Sequence, residues 1–258
     1  MPQASSLSQV SRLVLFVGLT MIGGLAGVQA QISSDAKEAQ RLARVAQVAQ
    51  QEGRLGDAVR AYQTIAVVAK GSPTIAANAH LSAGNIYMSL GKFEEAATAF
   101  RRSLSLDPNS AEAQNNLGEA LGELRQFQRA LEAFQRAVAL DSRFLKARYN
   151  MGVTYDRLGQ LKYAEFVYRI LVRDFPDFVL AYDSLAVTLS KSGRAREAIP
   201  FHEKAIRLDA KEPSFYFNFA LSYLVLGDLR RAREQQQRLR SLDPAMGERL
   251  AAVIARRK

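Results

Sequence analysis

Residues 111–144 read AEAQNNLGEALGELRQFQRALEAFQRAVALDSRF, and residues 145–178 read LKARYNMGVTYDRLGQLKYAEFVYRILVRDFPDF. Laid over one another, the two stretches match Gly118 with Gly152, Ala130 with Ala164 and Phe134 with Tyr168. The same register extends both ways along the chain. An alanine recurs every 34 residues at Ala96, Ala130, Ala164, Ala198 and Ala232. Twelve residues before each stands Gly84, Gly118, Gly152, Ala186 or Ala220. A fixed period of this length marks a stack of small units, none of which buries its apolar face alone.

Each period divides into two helices. The first covers about fourteen residues and is followed by Gly53, Gly91, Gly159, Gly193 or Gly227, with Arg125 the exception. Glycine ends a helix because it enters the left-handed region without a Cβ clash. The second helix runs to Asp107-Pro108, Asp141-Ser142, Phe175-Pro176, Asp209-Ala210 or Asp243-Pro244. Proline cannot continue the hydrogen-bond ladder. The small residue in the eighth place of the first helix is expected to meet the recurring alanine of the second. Large side chains such as Tyr87, Tyr155, Phe100, Phe134 and Tyr168 would fill the space around that contact. Asp35 and Glu38 are spaced as a capping box, so the first helix is expected to start there. Gly71 to Thr74 reads as a loop inserted into the first unit.

The period and its residue pattern resemble the tetratricopeptide repeat (TPR) family. Residues 77–110 carry that family's small–aromatic–Gly–Ala–Phe–Pro pattern as Gly84, Tyr87, Gly91, Ala96, Phe100 and Pro108. Residues 145–178 carry it as Gly152, Tyr155, Gly159, Ala164, Tyr168 and Pro176. The family's early tryptophan is missing, and His202 and Gln236 replace the large apolar residue of the last two units. The resemblance implies an all-α, right-handed superhelical solenoid of about six helix-turn-helix repeats. The expected divisions are a short lead over 31–38, an array over 39–244, and a C-terminal capping helix over 245–258. The units start at 39, 77, 111, 145, 179 and 213. Met246, Leu250, Val253 and Ile254 give the last segment one apolar face, suited to covering the open end of the array.

In the family the first helices line a groove that holds a partner, and the positions facing it follow from the register. The sixth places hold Arg44, Ser82, Asn116, Asn150, Ser184 and Asn218. Asparagine both donates and accepts, so a ladder of asparagines suits an extended peptide backbone. Tyr149 joins this candidate set. Asn85, Asn116 and Lys146 also match places in the family's carboxylate clamp, but Leu81 and Asn150 stand where that clamp has basic residues. An apolar alternative lies in the last unit, where Phe217, Leu221, Leu224 and Val225 occupy groove places, preceded by Leu180 and Val187. That surface fits an amphipathic helix, or is covered by the capping helix or a second copy of the chain. A third candidate is a basic face on the second helices formed by Arg101, Arg102, Arg136, Arg169, Lys204 and Arg238. It is suited to an anionic envelope component, and its plain alternative is a solvated surface.

The totals narrow the chemistry. The 258 residues contain no cysteine, which excludes disulfides, thiolate metal sites and cysteine nucleophiles. The two histidines, His80 and His202, form no catalytic or metal motif, and no phosphate-binding loop is present, so neither an enzyme nor a cofactor is expected. The net charge of +10 favours anionic partners. Nucleic acid is disfavoured because aromatic residues do not interleave with the basic face. Residues 13–26 read LVLFVGLTMIGGLA and lead into Val28-Gln29-Ala30, the pattern of a secretory signal peptide cleaved after Ala30. An uncleaved membrane anchor is the alternative. The expectation is an exported, periplasmic or secreted scaffold that holds a peptide or amphipathic helix of a protein partner. The rival reading is a pilotin-like assembly factor for an envelope complex.

Overall fold

The second helices set the frame. They begin at Phe93, Phe127, Leu161, Ala195 and Leu229, each one period after the last, and each runs for 14 residues. The computed structural model describes residues 34–256, the Lys70 side chain excepted. The expected signal peptide over residues 1–30 and its cleavage point lie outside the described residues, as do residues 31–33 of the lead. Among the described residues there are thirteen α-helices, one turn of 3-10 helix and no strand, which is the all-α fold expected.

The helices are α1 over 34–51, α2 (Leu55–Val68), α3 (Pro73–Ser89), α4 (Phe93–Leu106), α5 (Ala111–Glu123), α6 (Phe127–Leu140) and α7 (Leu145–Arg157). They continue as α8 (Leu161–Asp174), α9 (Val179–Lys191), α10 (Ala195–Leu208), α11 (Pro213–Val225), α12 (Leu229–Leu242) and α13 (Pro244–Ala255). Helix α1 is present from residue 34, the first described, and the Glu38 carboxylate takes two hydrogen bonds from Arg41 at 2.8 and 2.6 Å. One local expectation is corrected. The segment from Gly71 to Thr74 is not an open loop: the 3-10 turn covers Ala69–Gly71, and α3 starts with Pro73 in its first turn, where a missing N–H costs nothing.

The joints explain the even spacing. After α3, the Lys92 N–H reaches back to the Tyr87 carbonyl at 2.9 Å, with Gly91 at φ +69°. The same reach recurs from Gln160 to Tyr155, Arg194 to Leu189 and Asp228 to Tyr223, each at 2.9 Å across a left-handed glycine. Arg125 adopts the identical conformation with φ 58°. At the far ends, Asp107, Asp141 and Asp209 each accept a hydrogen bond from the N–H two residues on, turning the chain into the next first helix.

Packing inside a hairpin departs from the expectation in one respect. The side chain that faces the eighth-place glycine is a ring of the second helix, not the recurring alanine. A Cβ built on Gly84 would stand 2.5 Å from the Phe100 ring, one on Gly118 2.6 Å from Phe134, and one on Gly152 2.7 Å from Tyr168. The ring sits over the helix backbone, and only a hydrogen fits beneath it. The alanines are buried nearby: Ala96, Ala130, Ala164, Ala198 and Ala232 have no exposed surface.

The chain divides into two compact units, one up to Ala113 and one from Gln114 onward. In the first, α2 and α3 pack together and α3 packs on α4. In the second, each helix from α6 to α13 packs on the next, and first helices also touch each other, α7 against α9 and α9 against α11. Helix α13 then contacts both α12 and α11, the place that the first helix of a further repeat would take. Gly247 permits this, because a Cβ there would lie 2.7 Å from the Arg240 Cα of α12. Leu250 and Ile254 of α13 join Tyr216, Phe219, Tyr223 and Leu239 in one buried cluster.

Candidate partner-binding face

The side chains between adjacent first helices in the unit from Gln114 follow a rule. The Asn150 amide nitrogen donates to Asn115 Oδ1 at 3.1 Å, and Asn218 Nδ2 donates to Asp183 Oδ2 at 2.7 Å. Tyr149 and Ser184 share a hydrogen bond of 3.2 Å, and Lys191 Nζ lies 2.5 Å from Asp156 Oδ2. All four pairs are 35 residues apart, one repeat plus one position. Two further links reinforce the seam. Asn150 Nδ2 also donates to Glu119 Oε1 at 2.8 Å, and Lys146 Nζ approaches the same carboxylate at 2.8 Å.

The asparagine ladder is therefore corrected. Asn150 spends its amide hydrogens on Asn115 and Glu119, and Asn218 donates to Asp183, so these groups join repeats instead of presenting a row of donors. Asn116 accepts from Asn115 Nδ2 at 3.0 Å. Lys146, a clamp candidate, is paired with Glu119. Asn85 lies in the first unit and is exposed. Asn115, fully buried, and Glu119 were not candidates; the spacing of 35 from Asn150 would have pointed to Asn115, whereas the links of Glu119 follow no such spacing.

The apolar candidates separate by burial. Leu224 is 7% exposed and belongs to the core, which removes it from the set. Phe217 and Leu221 are half-buried against the cluster that holds Leu250 and Ile254. Val225 and Leu180 remain open to solvent, and Val187 is half-buried. In the first unit, α1, α2 and α3 line an open hollow of about 330 Å3 bordered by Ala39, Ala43, Tyr62, Ile65, Ile75 and Ala79. The sequence signal for it is the run Ala36, Ala39, Ala43, small residues down one side of α1. A second, more polar hollow of about 290 Å3 lies between α2, α3 and α4, with His80, Tyr87 and Arg102 in its wall. Burial and the Arg102 guanidinium hold the His80 pKa below its usual value.

One constellation has the members of a hydrolytic triad. His202 Nε2 and Ser222 Oγ are 2.8 Å apart, and His202 Nδ1 lies 3.3 Å from Asp183 Oδ1. The two atoms approach without forming a hydrogen bond, and neither has a hydrogen-bond partner elsewhere among the described residues. Ser190 shares a 2.7 Å hydrogen bond with Ser222, and the His202 ring stacks on Phe219 with centroids 5.0 Å apart. His202 is wholly buried and Ser222 is 1% exposed, so no substrate reaches the hydroxyl. The arrangement joins α9, α10 and α11. Elsewhere in this core, burial pushes the Tyr149 and Tyr168 phenols up, keeping both neutral as hydrogen-bonding groups. No cluster of metal-ligating side chains occurs among the described residues.

The basic face is uneven. Arg101, Arg102, Arg136 and Arg238 are exposed. Arg169 pairs with Glu165 at 2.9 Å and its guanidinium lies 5.9 Å from the centre of the Phe201 ring. Lys204 is half-buried with its ammonium 5.9 Å from the centre of the Tyr182 ring. No helix among the described residues is long and apolar enough to cross a membrane.

Comparison with known proteins agrees with this architecture. A family model described as "TPR repeat" matches residues 84–125, and models described as "Tetratricopeptide repeat" match residues 111–144, 146–177 and 181–214. Curated protein sequences give no match. A crystal structure of MamA is 30% identical over 65% of this chain and 95% of that one, with a TM-score of 0.60. PilW, described as a widely conserved type IV pilus biogenesis factor, is 24% identical over 80% of this chain and 94% of its own, with a TM-score of 0.67. YrrB, described as a TPR protein with an unusual peptide-binding site, is 18% identical over 68% of this chain and 92% of its own, with a TM-score of 0.57.

Proposed function

The chain belongs to the tetratricopeptide repeat family, and on that footing we propose that it is a non-catalytic scaffold of the cell envelope that holds a segment of a protein partner. The observation that carries this reading is the first-helix face of the unit from Gln114. Its polar side chains are tied to each other across the helix seams, which makes a stiff surface. Leu180 and Val225 stand exposed on it, with Phe217 and Leu221 half-open beside them. A rigid surface with exposed apolar anchors suits an amphipathic helix or extended peptide, because little side-chain freedom is lost on binding. The open hollow in the first unit offers a place for a further apolar side chain. The peptide-binding site named for YrrB and the pilus-assembly role named for PilW fit this class of activity. The envelope setting rests on the leader-like residues 1–30.

The test is site-directed photo-crosslinking in the producing cells. A crosslinker at Leu180 should trap a defined partner. Leu180→Gln combined with Val225→Gln should abolish its co-purification without changing the helical circular dichroism. Because both side chains are exposed, these substitutions leave the core intact. Persistence of the complex in that double variant and in Leu221→Asn would defeat the groove reading.

A further inference from the structure

Helix α8 turns Ala164, Val167, Tyr168 and Leu171 into the core. Phe166 stands on the side away from that core and Tyr163 on its flank, 65% and 61% exposed, the only aromatic residues among the strongly exposed large hydrophobics of the described residues. At the angular step of an α-helix, Phe166, Ile170 and Tyr163 form one stripe, and Lys162, Arg169 and Arg173 form another directly beside it. Together they occupy roughly a third of the helix circumference. The phenylalanine points almost directly away from the core. Nothing in the packing of repeats requires an aromatic residue there.

The aromatic stripe is held in place from behind. Tyr163 stacks on Tyr155 of α7, with ring centres 5.3 Å apart and planes 25° from parallel. The Tyr155 hydroxyl in turn accepts a hydrogen bond from Gln135 of α6 at 3.0 Å. The acidic groups of α8 are already neutralised. Glu165 is bound by Arg169 and Arg194, and Asp174 by Arg148 and Arg173. Lys162 and, on the preceding second helix, Arg136 have no carboxylate partner among the described residues. The chain as a whole carries a charge of +10.

We propose that this face of α8 docks on an anionic phospholipid surface, with Phe166 and Tyr163 entering the headgroup region and Lys162, Arg169 and Arg173 meeting lipid phosphates. The occupant follows from complementarity. Tyrosine and phenylalanine favour the boundary between headgroups and acyl chains, and flanking cations with long apolar stems reach phosphates while their stems stay buried. A negatively charged bilayer supplies both an apolar depth and an anionic plane; the face supplies the matching pair. This surface lies on the second helices, so the inference stands apart from the scaffold reading, and either survives the failure of the other.

The chain contains no tryptophan, so Phe166→Trp installs a single reporter at the proposed contact. Full-length F166W is mixed with vesicles of phosphatidylglycerol and phosphatidylcholine that carry brominated acyl chains. Val67→Trp on α2, whose parent residue is 60% exposed, is the control for contact elsewhere on the chain. The expected result is a blue shift and quenching of the F166W indole on the mixed vesicles, little change on pure phosphatidylcholine, and neither effect in V67W. Tyr163→Ser with Phe166→Ser, in the otherwise native chain, should reduce partitioning into mixed vesicles about tenfold or more. An unshifted F166W indole overturns the proposal, as does an equal response to uncharged vesicles or an equal response of V67W. A blue shift that needs no vesicles and grows with protein concentration also overturns it and assigns the face to a second copy of the chain.

Discussion

The hydrogen atom at Gly118 leaves room for the Phe134 ring, and the same holds for Gly84 with Phe100 and Gly152 with Tyr168. Gly118→Ala forces a methyl group to within 2.6 Å of that ring, so either the ring or the helix pair must shift. The expected cost is about 1–3 kcal/mol, read as a lower urea midpoint. Phe134→Leu removes part of the obstacle, so the double variant should lose less than the sum of the single ones. Strict additivity would show that the two positions do not share this contact. The sequence held the clue in a form the spacing alone did not reveal. In the units from 77, 111 and 145 glycine stands in the eighth place and the ring is Phe or Tyr, whereas Ala186 and Ala220 occur in the units that carry His202 and Gln236 in place of that ring; the first unit departs from this, with Ala46 and Tyr62. The recurring alanine does not vary and therefore masks this trade between the two helices. The same limitation hid the fate of Asn150. Its position in the register was legible, but its partners lie in the preceding repeat, and a spacing of 35 is invisible when units are compared at 34.

At the scale of the helical element, the joint at Arg125 is the informative one. Five other joints place glycine at φ between 69° and 77°, and this joint reaches φ 58° with a side chain present. The backbone bonds are formed regardless: Gln126 N–H reaches the Leu121 carbonyl at 2.8 Å, and Arg125 N–H reaches Gly122 at 2.9 Å. The close approach of α5 and α6, where Gly118 lies against the Phe134 ring, goes with the same joint conformation whatever the preference of the residue. Arg125→Gly should relieve about 1 kcal/mol of left-handed strain, seen as a higher thermal midpoint. A lower midpoint would mean that the arginine side chain contributes more than its backbone costs. Helix number and order were legible because glycine or proline recurs at most joints and the apolar spacing recurs in every unit. The first hairpin was less so. There Pro73 and Thr74 belong to α3 instead of a loop, and the Glu38 carboxylate binds Arg41. Local patterns of that kind lack the support of repetition.

For the whole molecule, the C-terminal helix matters most to integrity. Removing residues 244–258 uncovers the side of α11 and α12 that Leu250 and Ile254 now seal. Loss of those two buried side chains alone should cost about 3–6 kcal/mol. The truncated chain should unfold at lower urea and self-associate in sedimentation; a monomer of unchanged stability would deny α13 its sealing role. The buried chain from Asp183 through His202 to Ser222 has a different consequence. Homologous repeats invite shuffling, by gene duplication or by an engineer, on the premise that each module fits any neighbour. Here the modules are not interchangeable. Moving the hairpin of α9 and α10 away from α11 would take Ser222 from the buried His202 imidazole and Asn218 from the Asp183 carboxylate, so the order of these two repeats is written into their chemistry as firmly as their number.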